Sequence, residues 1–295
     1  MRKISHFAVP FALVSVLAAD TAPGQVAGQG VAQVYVTVAD QQGRPVTGLT
    51  AADFFVRIDD TIQEVVAATR ATEPASVLLL TDRLGTTSDY RPGDLQRALR
   101  GFLGVLGSAD ARSQFALTTF DGIVLQVAPF GASPGLVDRA LNRLTVSGND
   151  APLVDALTDA CRTVARAPTP RRAILLVFAA FRADHGNPRS DITEGACRQS
   201  GASLWTLEAR ASDGRNYPNP AREMVVDGIS RSSGGLHELV TTSEQLAGLA
   251  SVMAGLIASQ YVVTYGPGGG TARSRLTVGV RREHVIVLAP TWLDR

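Results

Sequence analysis

Three short, continuously apolar runs constrain the fold of this chain most. They are SVLLLTD (76–82), RRAILLVFAA (171–180) and ASLWTLEA (202–209). Runs without polar alternation are typical of strands that are buried on both faces, since a half-exposed strand alternates apolar and polar residues. Helix-like stretches lie between these runs, and strands that alternate with helices form a mainly parallel sheet with helices on both faces. The sequence therefore predicts an α/β domain.

Six stretches around these runs show the spacing of helices, and one shows the pattern of a hairpin. The predicted helices are 92–106, 133–144, 152–166, 191–201, 219–235 and 243–260. Ser133 is expected to cap the second helix ahead of Pro134, and Ser243 to cap the last. In FALTTFDGIVLQVAPF (115–130), the Asp121-Gly122 pair predicts a tight hairpin that adds one antiparallel edge strand to the sheet.

The two ends of the chain have the alternating pattern of half-buried strands. We predict an N-terminal β segment at 31–73, an α/β domain at 74–259 and a C-terminal β segment at 260–295. TIQEVVAATRA (61–71) is interpreted as a single strand. Because neither end can bury a core alone, the two β segments are expected to pair with each other.

Residues 1–19 have the features of a secretory signal peptide, followed by a linker at 20–30. Arg2 and Lys3 precede an apolar run at 7–17, and small residues support a cut after Ala18 or Ala19. The alternative, a membrane anchor, requires about 20 apolar residues, more than this run supplies. We therefore expect export, to the periplasm or outside the cell. The apolar stretch 246–263 is expected to be a buried helix followed by a strand, and no span is predicted in the mature chain.

The charge balance argues against an electrostatic role. The chain has 28 basic and 27 acidic residues, a net charge of +1. This balance gives no basis for binding nucleic acid or an anionic membrane.

Asp82 stands directly after the first apolar run and before a loop rich in hydroxyl groups. In open α/β sheets, ligands bind beyond the carboxyl ends of the strands, which makes this position a candidate site. Enzyme signatures are weaker. The four histidines, His6, His185, His237 and His284, are far apart in sequence, and no serine has a nucleophile-elbow motif around it. His185 is interpreted as a solvated loop residue, with a hydrolase that uses it as an alternative.

The order of these motifs resembles the von Willebrand factor A domain. VLLLTD, the hairpin, PLVDALTDA (152–160) and RRAILLVFAA follow one another as in that family. The flanking stretches VYVTVADQQGRPVTGLTAADFFVRIDD (34–60) and SQYVVTYGP (259–267) resemble secreted bacterial von Willebrand factor A-related proteins. The resemblance implies a Rossmann-like fold that holds Mg²⁺ or Mn²⁺ in a metal-ion-dependent adhesion site.

The residues at the family's ligand positions predict that this metal site is degenerate. Asp82 matches the first aspartate, and Thr86 can replace the second serine, but Leu84, Ala151 and Ala179 stand at the other three positions. Mg²⁺ needs about six oxygen ligands, so we expect no metal or other cofactor. If a metal binds, its ligands would come from Asp82, Thr86, Asp89 and Asp150. Otherwise Asp82 is expected to accept hydrogen bonds from the N–H groups of Gly85 and Thr86.

The resemblance implies a non-enzymatic, adhesion-type module that binds an unknown protein or surface polymer. The expected binding surface comprises 82–89, 147–150 and 181–185, with Arg83, Arg182 and Arg189 adding charge; its named residues are Asp82, Thr86, Thr87, Ser88, Asp89, Asp150 and His185. The alternative is a scaffold subunit of a cell-envelope assembly that packs through its terminal strands.

Two cysteines, Cys161 and Cys197, lie on the helices before and after the strand at 171–180. The strand order implied by the resemblance places both helices side by side on one face of the sheet. A disulfide between them suits an exported protein, and two buried free thiols are the alternative.

Overall fold

The strands at the centre of the structure are buried, apart from the half-buried Arg172. The computed structural model describes residues 31–82, 90, 92–144, 152–180, 190–211, 219–266 and 274–293. Strands β1 to β13 are Ala32–Asp40, Phe54–Ile58, Thr61–Gln63, Val65–Arg70, Ala75–Thr81, Gln114–Asp121, Ile123–Ala128, Arg171–Ala179, Ser203–Ala209, Leu236–Val240, Tyr261–Tyr265, Leu276–Val280 and Val285–Leu288. Helices α1 to α6 are Pro92–Ala109, Pro134–Asn142, Leu153–Val164, Ser190–Ser200, Pro220–Ser232 and Ser243–Ala258.

A six-stranded sheet forms the centre of the molecule, in the order β10-β9-β8-β5-β6-β7. All neighbours are parallel except β7, which pairs antiparallel with β6 at one edge. Helices α1, α2 and α6 pack on one face, while α3, α4 and α5 pack on the other. The predicted α/β class, with its single antiparallel edge strand, is confirmed.

The two ends of the chain form a second β unit. One sheet has the order β13-β1-β11-β4, and the other has β12-β2-β3. C-terminal β11 lies between N-terminal β1 and β4, which confirms that the two ends pair. Phe54 and Tyr261 join the two sheets through rings whose centroids are 5.5 Å apart. The proposed boundaries at 73/74 and 259/260 remain predictions.

Two local predictions were wrong. The stretch 61–71 forms two strands instead of one, since β3 pairs with β2 in one sheet and β4 pairs with β11 in the other. The last helix is capped by Thr242, one residue before the predicted Ser243: the extended backbone of Thr242 allows its hydroxyl to accept the N–H of Gln245. At the second helix, Ser133 caps as predicted by accepting the N–H of Leu136.

The apolar stretch 246–263 is divided between α6 and β11, as predicted. Across the part of the chain that the structure describes, every helix falls short of the length and apolar character needed to cross a membrane.

Candidate functional site at the carboxyl edge of the sheet

The connections at the two edges of the central sheet differ in length. We call the edge where β5, β8 and β9 end the carboxyl edge, and the opposite one the amino edge. Four connections of ten residues each leave and return at the carboxyl edge: 82–91, 143–152, 180–189 and 210–219. Two other connections at this edge, the hairpin at Gly122 and 241–242, are short. At the amino edge, the connections 110–113, 129–133, 165–170, 201–202 and 233–235 have at most six residues. Long connections on a rigid sheet are where α/β proteins usually place their binding residues.

Asp82 begins the first of the long connections and is 1% exposed. Its Oδ2 accepts a hydrogen bond from the backbone N–H of Ala179, at 2.8 Å. Its own backbone N–H donates to the carbonyl of Val177, at 3.3 Å. Asp82 therefore ties the end of β5 to the end of β8.

The Asp82–Ala179 contact bears directly on the predicted loss of the metal site. Ala179 stands where the resembling family has its last aspartate, and here it offers a methyl group and a backbone N–H instead of a carboxylate. The N–H of Ala179 uses one of the acceptor sites of the Asp82 carboxylate. Within the described ranges, no three His, Cys, Asp or Glu residues lie close enough to hold a metal ion together.

Most other predicted site residues lie outside the described residues. They are Arg83, Leu84, Gly85, Thr86, Thr87, Ser88, Asp89, Asp150, Ala151, Arg182, His185 and Arg189. Of the predicted site, the structure brings together Asp82 and Ala179. The role of the remaining residues stays a prediction.

A buried ionic cluster near the same edge was not predicted. Glu208 of β9 is fully buried, and its carboxylate contacts His237 Nε2 at 3.0 Å and Arg210 Nε at 2.8 Å. His237 Nδ1 lies 3.7 Å from Asp227 of α5. Burial acts to raise the pKa of Glu208, but the hydrogen bonds and charges of His237 and Arg210 outweigh it, so this pKa lies below its ordinary value. The cluster joins β9, β10 and α5.

A buried arginine at the start of α5 was also missed. Arg222 is 2% exposed, and its Cζ lies 5.2 Å from the ring centroid of Phe178 in β8. Within the described part of the chain, its Nε and Nη2 have no hydrogen-bond partner. One sequence signal could have indicated it, because a cation in the first turn of a helix opposes the helix dipole.

The cysteine pair is a disulfide. Cys161 of α3 and Cys197 of α4 are bonded, with Cα atoms 4.8 Å apart. The alternative of two free thiols is wrong. Both helices lie on the same face of the sheet, so the bond joins neighbours.

Comparison with known proteins shows likeness at the level of the fold. No family model and no curated protein sequence matches this chain. A von Willebrand factor type A structure from Catenulispora acidiphila is 11% identical, covers 89% of this chain and 75% of its own, and gives a TM-score of 0.48. The SpRpn10 VWA domain is 12% identical over 60% of this chain and 94% of its own, with a TM-score of 0.47. The pilus adhesin SpaC from Lactobacillus rhamnosus GG is 12% identical over 76% and 36%, with a TM-score of 0.49.

The central sheet has the single antiparallel edge strand and the two helical layers that the resemblance to the von Willebrand factor A domain predicts. The resemblance predicted from the order of the sequence motifs is thereby confirmed for the fold.

Proposed function

We propose that this chain is an exported, non-enzymatic protein-binding module that acts through the four long connections at its carboxyl edge. The observation that carries the proposal is the difference in connection length between the two edges of one sheet. A rigid sheet with long connections at one end can present a large contact surface without reorganising its core. The proposed contact residues are Thr86, Thr87, Ser88, Asp89, Asp150 and His185.

Binding is proposed to be independent of metal. Asp82 then acts beneath the contact surface, where it holds β5 to β8 through the N–H of Ala179. The partner would be recognised by the shape, hydroxyl groups and arginines of the connections. This mode predicts that chelators leave binding unchanged.

Site-specific photo-crosslinking in the producing cells tests which surface binds. A photoreactive residue would be placed at Thr87, Asp150 or His185 on the carboxyl edge, and at the exposed Ala111 and Gly201 on the amino edge as matched controls. We expect crosslinks to one protein from the carboxyl-edge positions, and none from the controls. Crosslinks of equal yield from both edges would contradict the proposal.

A scaffold role in an envelope assembly is the second candidate, and an exposed apolar side chain favours it. Ile62 lies on β3, an edge strand of the terminal β unit, and is 70% exposed. Exposed edge strands pair readily with other chains. Crosslinks from Ile62 alone would favour this role. The hydrolase alternative predicts that His185→Ala abolishes cleavage of a generic ester.

A further inference from the structure

The guanidinium of Arg222 is a buried charge without a counter-charge among the described residues. The residue is 2% exposed, so water does not replace the missing partners of Nε and Nη2. An arginine does not escape this situation by losing its proton, since its pKa is too high. An unpaired charge in the protein interior is strongly unfavourable, and buried charges are normally paired. Among the described residues, the guanidinium therefore lacks the anion with which a buried arginine normally pairs.

The two unpartnered nitrogens define the shape of that anion. Nε and Nη2 lie on the same edge of the planar guanidinium, where their N–H bonds run parallel. Two parallel donors match the two oxygens of a carboxylate in a bidentate pair. The ring of Phe178, with its centroid 5.2 Å from Cζ, packs against the guanidinium and limits its movement.

The start of α5 adds a second source of positive potential. Arg222 is the third residue of this 13-residue helix, and helical side chains point back toward the N-terminus. The N-terminal end of a helix carries a partial positive charge that favours anions. The acidic residue of this first turn, Glu223, makes its ion pair with Arg210, at 3.5 Å.

From these observations, we infer that Arg222 and the N-terminal turn of α5 form a binding site for a small, free carboxylate. The burial of the guanidinium favours a small anion over an acidic side chain carried on the surface of a partner. The site lies at the same edge as the proposed protein-binding surface, but Arg222 is not among the proposed contact residues, so either proposal can fail without the other.

Thermal unfolding of the full chain in acetate tests this inference. Sodium acetate would replace sodium chloride in steps at constant ionic strength, with acetamide as the neutral analogue. We expect acetate to raise the Tm, and acetamide to leave it unchanged. Formate and nitrate, which are also planar oxyanions, should act as acetate does.

Variants of Arg222 assign the effect to this side chain. Arg222→Met should abolish the acetate response, and Arg222→Lys should weaken the affinity by about tenfold or more, because an ammonium group lacks the parallel pair of donors. Arg231→Met is the matched control on the same helix, since that side chain is 78% exposed and pairs with Asp227. The control should keep the full response.

Stability without acetate provides an independent readout. If Arg222 lacks a partner in the free protein, Arg222→Met should be at least as stable as wild type in chloride. The inference is overturned if acetate does not raise the wild-type Tm, or if Arg222→Met keeps the response. It is also overturned if Arg222→Met is much less stable or unfolded in chloride, because the guanidinium would then already have a protein partner.

Discussion

Two buried arginines lie at opposite edges of the central sheet and have opposite surroundings. At the amino edge, Arg171 donates to the side chain of Gln260 and the carbonyls of Glu73 and Ile257. At the carboxyl edge, Arg222 leaves Nε and Nη2 without partners within the described ranges. The same residue type is therefore hydrogen-bonded at one edge, whereas at the other edge two of its nitrogens have no partner among the described residues.

The comparison extends to the rest of the two edges. Arg171 connects β8 with the end of α6 and with the segment that leads into β5. The disulfide joins α3 and α4 near their last turns, which point to the same amino edge. The carboxyl edge instead carries the four long connections. In the proposed function the carboxyl edge binds the partner, while the disulfide and Arg171 stabilise the amino edge.

The largest effect on stability is expected from replacing Arg171, whose guanidinium is hydrogen-bonded. Arg171→Met should lower the free energy of unfolding by about 4 kcal/mol, since two buried acceptors and one half-buried acceptor lose their donor at once. Arg222→Met should leave it unchanged or raise it, because within the described ranges Nε and Nη2 have no hydrogen bond to lose. Urea unfolding compares the two variants. Equal losses of unfolding free energy in the two variants would contradict the proposed difference between the two edges.

An exposed arginine provides the baseline against which the stability effects of Arg171→Met and Arg222→Met are compared. Arg162 on α3 is 57% exposed and pairs with Asp159. Arg162→Met should cost less than about 0.5 kcal/mol, as is usual for a surface ion pair.

The disulfide should contribute slightly less than Arg171. Replacing Cys161 and Cys197 by serine releases a crosslink with a sequence separation of 36 residues, and should cost about 3–4 kcal/mol by loop entropy. The double variant should keep its response to acetate, since Arg222 lies at the other edge. A loss of the acetate response would show that the two edges are coupled.

The Glu208 cluster tests how much the carboxyl edge contributes to stability. Glu208→Gln should cost about 2 kcal/mol at neutral pH, because the fully buried carboxylate bonds both His237 and Arg210. The pKa of Glu208 is lowered in the folded state, so its contribution is complete above the unfolded value of 4.5 and is lost as the pH falls through the lower folded value.

Urea unfolding of wild type and Glu208→Gln between neutral and acidic pH measures this dependence. The difference in unfolding free energy between the two proteins should stay constant above the unfolded pKa of Glu208 and become smaller below it. Glu283→Gln is the control, since the Glu283 side chain is 93% exposed. A difference in unfolding free energy that grows toward acidic pH would contradict a lowered pKa of Glu208 in the folded state.

Divalent cations should have the smallest effect. Mg²⁺ or Mn²⁺ should change the unfolding free energy of the wild-type chain by less than about 0.5 kcal/mol, since ligand positions 84, 151 and 179 carry apolar residues. The triple variant Leu84→Ser, Ala151→Thr, Ala179→Asp should be destabilised in chelator, where the new carboxylate faces Asp82. Mg²⁺ should restore its stability.

Titration calorimetry with Mg²⁺ tests directly whether the wild-type chain binds a divalent cation. Heat from Mg²⁺ binding to the wild-type chain would contradict the proposed loss of the metal site. Asp89 and Asp150 would then be the first ligands to replace.

The sequence was sufficient to predict the fold class because burial on both faces leaves a local pattern. The three apolar runs became β5, β8 and β9, which are buried apart from the half-buried Arg172. The hairpin at Asp121-Gly122 formed as predicted, since Gly122 adopts a positive φ that suits glycine. The division of 61–71 between two sheets was missed, because both halves have the same strand pattern and differ only in their partners.

The candidate site was predictable in position but not in its contacts. Asp82 could be placed at the end of a central strand from the sequence, whereas its partner Ala179 lies 97 residues away in the chain. Glu208 in an otherwise apolar strand and Arg222 in the first turn of a helix were visible irregularities. Neither showed which groups would surround it.

The sequence by itself determined which segments form strands and helices, because hydrophobic periodicity is a local property. Only the tertiary structure decided that Arg171 makes three hydrogen bonds and that Cys161 is bonded to Cys197. It also decided that Nε and Nη2 of Arg222 have no partner among the described residues. The physical reason is that burial and hydrogen bonding depend on neighbours brought together from distant parts of the chain. The two arginines are therefore identical side chains with different surroundings: Arg171 is hydrogen-bonded, and Nε and Nη2 of Arg222 are without partners among the described residues.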